Sequence, residues 1–217
     1  MLLRSLVVLL VFASLTTSAS AGIIFQDNFD ADTIGIPQGS LINWTIDAGT
    51  VDVVGASTFG YLCNNGTAGY CLDLDGTPGN ATITTKTGLS LLAGDYEFSF
   101  DYGNNFGTDN KLEWDIGVGA LVSGLINIAS PTHSGDVTSD FVPNDIYWNS
   151  TTSFSLGADL SNVYIQFTQL GPQDNGGTVL DNVVLTYLGS SSVPEPGSLV
   201  LLGLGLLGLT RQRRAFR

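Results

Sequence analysis

Acidic side chains are the groups in this 217-residue chain with the number and spacing to do chemistry. Glu97, Asp101, Glu113 and Asp115 alternate with apolar residues in two stretches, so each pair faces one way from an extended strand. If the two strands are neighbours, all four carboxylates share a polar sheet face. Glycoside hydrolysis uses such a pair, one group as acid and the other as base or nucleophile. A surface hydrolase or lyase is therefore one reading, and an acidic outer face without turnover is the other. Other catalytic routes have little support. The single histidine, His133, sits in Pro131-Thr132-His133-Ser134-Gly135 without a G-x-S-x-G partner, and neither H-E-x-x-H nor a phosphate-binding loop occurs.

The elements that hold these residues are strands. In Asp95 to Tyr102, Tyr96, Phe98, Phe100 and Tyr102 share one face; in Lys111 to Val118, Leu112, Trp114, Ile116 and Val118 do the same. Asn162 to Thr168 sets Val163, Ile165 and Phe167 against Tyr164, Gln166 and Thr168. Further strands are expected at Ile23 to Phe29, Ile42 to Asp47, Val51 to Val54, Ala81 to Lys86, Leu121 to Ile128, Ser153 to Leu156 and Thr178 to Leu188. Ten short strands with Gly, Asn and Asp turns and no sustained helical period predict an all-β fold, a single jelly-roll-like β-sandwich.

Sugars stack on exposed rings, and the rings placed in loops or on a polar strand face are Tyr61, Tyr70, Tyr147, Trp148 and Tyr164. Trp114 and the Tyr96 to Tyr102 series alternate with acids and are expected in the core. Cys63 and Cys71 bracket seven turn-forming residues, and in an oxidising compartment they form a disulfide.

Both ends of the chain read as routing segments. Met1 to Ala21 has Arg4, an apolar stretch from Leu6 to Leu15 and Ala19-Ser20-Ala21, the pattern of a cleaved signal peptide. At the other end, Val193-Pro194-Glu195-Pro196 precedes an apolar run from Leu199 to Leu209 and a basic end with Arg211, Arg213, Arg214 and Arg217. Two prolines hold the motif extended. Eleven apolar residues at about 1.5 Å of rise make a short transmembrane helix, well under the roughly 30 Å of a hydrocarbon core. The arginines act as a membrane stop that stays cytoplasmic. Residues 22–192 between these labels form one domain, and 193–217 form the tail. Twenty acids against Lys86 and Lys111 leave the exported body, Gly22 to Gly197, with a charge of −18. That charge disfavours nucleic acid and anionic lipid as partners and favours divalent cations and neutral polysaccharide.

The tail resembles the PEP-CTERM sorting signal of Gram-negative bacteria. That resemblance implies recognition by an exosortase, transient residence in the inner membrane, and delivery to the cell surface or extracellular polysaccharide matrix. The body, with Phe25-Gln26-Asp27-Asn28-Phe29-Asp30 near its first strand and Leu180-Asp181-Asn182-Val183 in its last, is similar to galactose-binding-like and carbohydrate-binding-module jelly rolls. By that resemblance Asp30 and Asp181 meet at a structural calcium ion, whereas the alternative is a pair of turn-capping aspartates. Asp73-Leu74-Asp75-Gly76 lacks the remaining acids of a calcium loop and reads as a strand ending in an Asp-Gly turn. The expected function is adhesion or polysaccharide association; a hydrolase and a passive coat protein are the alternatives.

Overall fold

A computed structural model describes residues 20–55, 63, 69–77, 79–104, 110–119, 121–128, 148–173 and 177–190. The leader, the sorting motif, the apolar run and the arginines lie outside these residues, as do His133, Tyr61 and Tyr147. No helix among the described residues is long and apolar enough to cross a membrane. Ala21–Ser191 forms one compact unit.

The unit is all-β, a jelly-roll-like sandwich. In the larger sheet, sheet A, β13 (Trp148–Leu156), β10 (Gly94–Asn104), β15 (Thr178–Gly189), β5 (Tyr70–Asp73), β4 (Val51–Gly55) and β2 (Gly35–Gln38) lie side by side. β1 (Gly22–Asp27) also pairs with β15. Sheet B runs β12 (Val122–Ile128), β11 (Asn110–Gly117), β14 (Leu160–Leu170), β8 (Thr82–Thr85) and β3 (Trp44–Ala48), with β9 (Leu89–Leu91) also on β14. The small pair β6 (Asp75–Gly76) and β7 (Gly79–Asn80) completes the unit. All ten expected strands are present, with boundaries shifted by a few residues.

Period-two alternation explains the core. Tyr96, Phe98 and Phe100 from sheet A meet Leu112, Trp114, Ile116, Val163, Ile165 and Phe167 from sheet B in one buried cluster. Phe98, Phe100 and Trp114 form a ring-to-ring chain with Phe167, centroids 5.0–6.2 Å apart. Trp114 has room because residue 124, opposite it on β12, is glycine; a Cβ there would lie 2.5 Å from the indole.

Two polar ties cross between the sheets. Trp44 stacks near Phe25, Phe29 and Phe167 and donates its indole N–H to Asp27 Oδ2 at 2.8 Å. Gln169 donates to Asn110 Oδ1 at 2.9 Å and accepts the Thr178 N–H at 3.3 Å. Both ties are buried, so each group's bonds replace water it has lost. Trp44→Phe removes the donor and part of the packing, and should lower the unfolding free energy by about 1–3 kcal/mol. Urea denaturation measures this, with Tyr164→Phe, on the surface, expected within about 0.5 kcal/mol of the native protein.

Candidate functional site

Two groups of polar side chains stand out: a knot of carboxylates beside β15, and the open outer face of sheet B.

The first begins with β1 pairing β15, Asp27 opposite Val183, which brings the opening turn of the body beside its last strand. Asp27 is fully engaged. Its Oδ1 accepts the Phe29 N–H at 2.9 Å, and Oδ2 accepts from Trp44 and from Asn43 at 3.2 Å. That Asx turn holds Phe29 in the left-handed region at φ 56° and swings Asp30 back towards β5. There Asp30 Oδ1 accepts the Tyr70 N–H at 2.7 Å and Oδ2 accepts from Asn28 at 2.6 Å. Across β15, Asp101 on β10 pairs with Asp181 at a bulge. Asn182, with φ 48°, takes the left-handed conformation that Asn tolerates better than most residues. The Asp101 carboxylate is bracketed by two amides, Asn182 at 2.9 Å and Asn149 at 2.8 Å.

Asp181 is the electrostatic centre of this knot. It is 4% exposed, its Oδ1 accepts the Asn182 N–H at 2.7 Å, and burial lifts its carboxyl to about 7. Asp101, Asp30 and Asp27 push in the same direction, and the Asn182 hydrogen bond opposes them. The first-strand and last-strand aspartates picked out in the sequence, Asp30 and Asp181, are thus neighbours. Among the described residues no group of three or more acidic, histidine or cysteine side chains is arranged to hold a metal by itself.

The second group belongs to β11, β14, β8 and β3. Their inward residues fill the core, so the alternate residues face out: Glu113 and Asp115, Tyr164, Gln166 and Thr168, Thr82 and Thr84, and Thr45. Register lines them up. Asp115 lies opposite Gln166, Gln166 opposite Thr84 and Thr84 opposite Thr45; the next row sets Glu113 against Thr168 and Thr168 against Thr82. Gln166 donates to Thr84 Oγ1 at 3.0 Å. Tyr164 ends the platform, 39% exposed, its hydroxyl beside Gly88.

The four acids first considered together for catalysis are not on one face. β10 and β11 lie in different sheets, so Glu97 and Asp101 point outward from sheet A and Glu113 and Asp115 from sheet B. Each strand has a complete apolar face, and burying both requires them to oppose one another across the core. Of the candidate stacking rings, Tyr164 is exposed; Tyr70 and Trp148 are half-buried against the core, Trp148 packing on Tyr102 at 5.5 Å. Cys63 and Cys71 are joined by a disulfide. Asp73 and Asp75 sit in a strand and turn, where Asp73 Oδ1 accepts the Asp75 N–H at 2.9 Å; Asp52 accepts from Thr77, and burial raises its carboxyl. The threonine rows were not singled out in the sequence, although the alternation that marks the core also marks them. Their alignment depends on which strands are neighbours.

Residues 192–214 match the PEP-CTERM protein-sorting motif, which marks a secreted protein sorted to the cell exterior by an exosortase. No curated protein matches the chain. Among solved structures, it is similar to the K3 cleaved adhesin domain of Lys-gingipain from Porphyromonas gingivalis W83, at 16% identity over 77% of this chain and 99% of that one, TM-score 0.43. It is also similar to the CBM22-1 xylan-binding domain from Paenibacillus barcinonensis, at 12% identity over 79% and 98%, TM-score 0.38. A third is the carbohydrate-binding module of Cellvibrio mixtus lichenase 5A in complex with cellotriose, at 13% identity over 76% and 97%, TM-score 0.37.

The raised Asp181 carboxyl fixes a pH dependence. In cation-free protein the folded state holds this proton more tightly than the unfolded chain, where aspartate titrates near 3.8. The contribution to stability is therefore complete below that value and is lost as pH rises through about 7. With chelator present, the melting temperature should fall by about 3–6 °C between pH 5.5 and 8, corresponding to about 1–2 kcal/mol. Asp181→Asn should flatten this profile; an unchanged slope in that variant would assign it to other groups.

Proposed function

We propose that this exported protein associates with neutral polysaccharide at the cell surface or in the extracellular matrix, holding it on the outer face of sheet B. The observation that carries the reading is the register of that face. Two rows of hydroxyl, amide and carboxylate groups line the outer face, Glu113 and Thr45 exposed and the others half-buried, with the exposed ring of Tyr164 at their end. Sugar hydroxyls both donate and accept, and threonine, glutamine and carboxylate side chains supply the complementary groups. Tyr164 offers an apolar surface to the C–H face of a pyranose. The charge of the body, −18, disfavours an anionic polymer.

Calcium belongs to the same proposal as a structural ion at Asp30 and Asp181. The carboxylate oxygens of the knot are the hard ligands calcium takes, and an ion would take the place of N–H groups that Asp30 and Asp181 now accept. A carboxyl raised by burial and further by the carboxylates of Asp101, Asp30 and Asp27 is a further sign of fit. Backbone carbonyls would have to complete the set. When bound, the ion would neutralise the knot and tie the start of the body to its last strand.

Affinity electrophoresis in gels containing candidate neutral polysaccharides tests binding. Tyr164→Ala should weaken retardation about tenfold, or about 1.4 kcal/mol, and Gln166→Ala about threefold. Asn149→Ala, on sheet A, should leave it unchanged. Released oligosaccharide that disappears in Glu113→Gln would establish the hydrolase instead; no retardation on any polymer would leave the coat protein. For calcium, chelator should lower the melting temperature at pH 8 and Asp181→Ala should remove that sensitivity; a native protein indifferent to chelator would end the calcium proposal.

A further inference from the structure

Three turns and both ends of the body meet at one end of the sandwich. Register sets Gly94 opposite Leu156, Asp95 opposite Gly189, Gly22 opposite Tyr187 and Leu91 opposite Leu160. The turn after β11 points the same way, since Gly117 lies opposite Tyr164 in the first half of β14. The chain therefore enters its folded body at Gly22 and leaves it at Gly189 from the same end. The carboxylate knot lies towards the opposite end, where β15 begins.

This exit end differs chemically from the rest. Ile23, Leu92, Val118, Leu121 and Leu188 are each between 46% and 63% exposed, five of the eleven exposed large apolar side chains among the described residues. The turn residues 92–93, 118–121 and 157–159 contain one acid, Asp159, whose Oδ1 accepts the Ala93 N–H at 2.7 Å, and the second acid at this end, Asp95 at the start of β10, accepts from Ser155. On a body of charge −18, a tip so poor in charge and rich in apolar side chains is a local reversal of the surface.

We infer that this end docks on the surface of a lipid bilayer while the uncleaved chain is anchored there. The inference rests on the sorting-tail reading, in which Leu199 to Leu209 enters the membrane. Nine residues lie between Gly189 and Leu199, and the ten residue-to-residue steps reach at most about 35 Å when fully extended. The anchored body is thus held within reach of the headgroups, and its tether leaves from the apolar tip. Separate apolar side chains on turn tips suit shallow insertion, about 5–10 Å into the headgroup boundary. Anionic headgroups repel the acid-rich remainder, which leaves this tip as the favoured face of approach. Docked in this way, the carboxylate knot is carried away from the bilayer.

The test uses the full chain reconstituted into vesicles of phosphatidylethanolamine and phosphatidylglycerol. The native cysteines are paired, so Val118→Cys or Gln173→Cys supplies a single thiol for a fluorophore. Flotation reports anchoring, and quenching by nitroxide lipids reports contact. The label at Val118→Cys should be quenched about threefold or more strongly than that at Gln173→Cys, in the turn after β14. Adding Leu92→Glu with Leu121→Glu should abolish this difference while flotation persists. Equal quenching of the two labels on floating vesicles would overturn the docking inference alone. Failure to float would overturn the tail reading and the inference with it.

Discussion

β15 is hydrogen-bonded on both sides, to β10 along one edge and to β1 and β5 along the other, so the strand that ends the folded body also closes its larger sheet. A strand in that position cannot be added as an afterthought. Until residues 178–189 are available, β1 and β10 have no partner between them, and the apolar faces of Leu185 and Val183 are missing from the core. The β1–β15 pairing joins the two extremes of the body, the kind of long-range contact that makes a β-sandwich slow to fold. The sorting motif begins at residue 192, three residues after the end of the strand that completes the fold.

The same strand concentrates charge. Asp181 is buried in the sheet because β15 has neighbours on both sides, and the bulge at Asn182 turns an amide towards Asp101. Carboxylates drawn together without a lysine or arginine at hand disfavour one another's ionised forms. The knot relaxes by holding a proton or, on the proposal made above, by gathering around a cation, and either makes stability depend on the surrounding medium. Sheet B has no such tension. Its outer face carries local threonine and glutamine bonds, Gln166 to Thr84 and Thr82 to Thr168, which on the proposed function a ligand's hydroxyls would replace.

Much of this was legible in the sequence. Strict alternation in Asp95 to Tyr102 and Lys111 to Gly117 marks which side chains are core, because period two admits one assignment when all apolar residues fall on one side; Val118, grouped with that face in the sequence, lies beyond the end of β11 and is 63% exposed. Neighbour relations were not legible. A five-residue connection between β10 and β11 suits a hairpin or a crossing between sheets, and the crossing separates Glu97 and Asp101 from Glu113 and Asp115. β2, β6, β7 and β9 escaped for a different reason. Gly35-Ile36-Pro37-Gln38 is short and proline-bearing, and β6, β7 and β9 span two or three residues each, so none carries the alternation of a half-exposed strand. Asp30 and Asp181 were found through likeness to other jelly rolls, and their proximity in space follows from β1 lying against β15.

The central claim is that sheet B's outer face is where this protein meets polysaccharide. Hydrogen–deuterium exchange on the protein recovered from the cell surface, with and without its own matrix polymer, tests this most directly. The account predicts slowed exchange in β8, β11 and β14 and unchanged exchange in β10 and β13. Protection confined to sheet A, or none anywhere at saturating polymer, would contradict it.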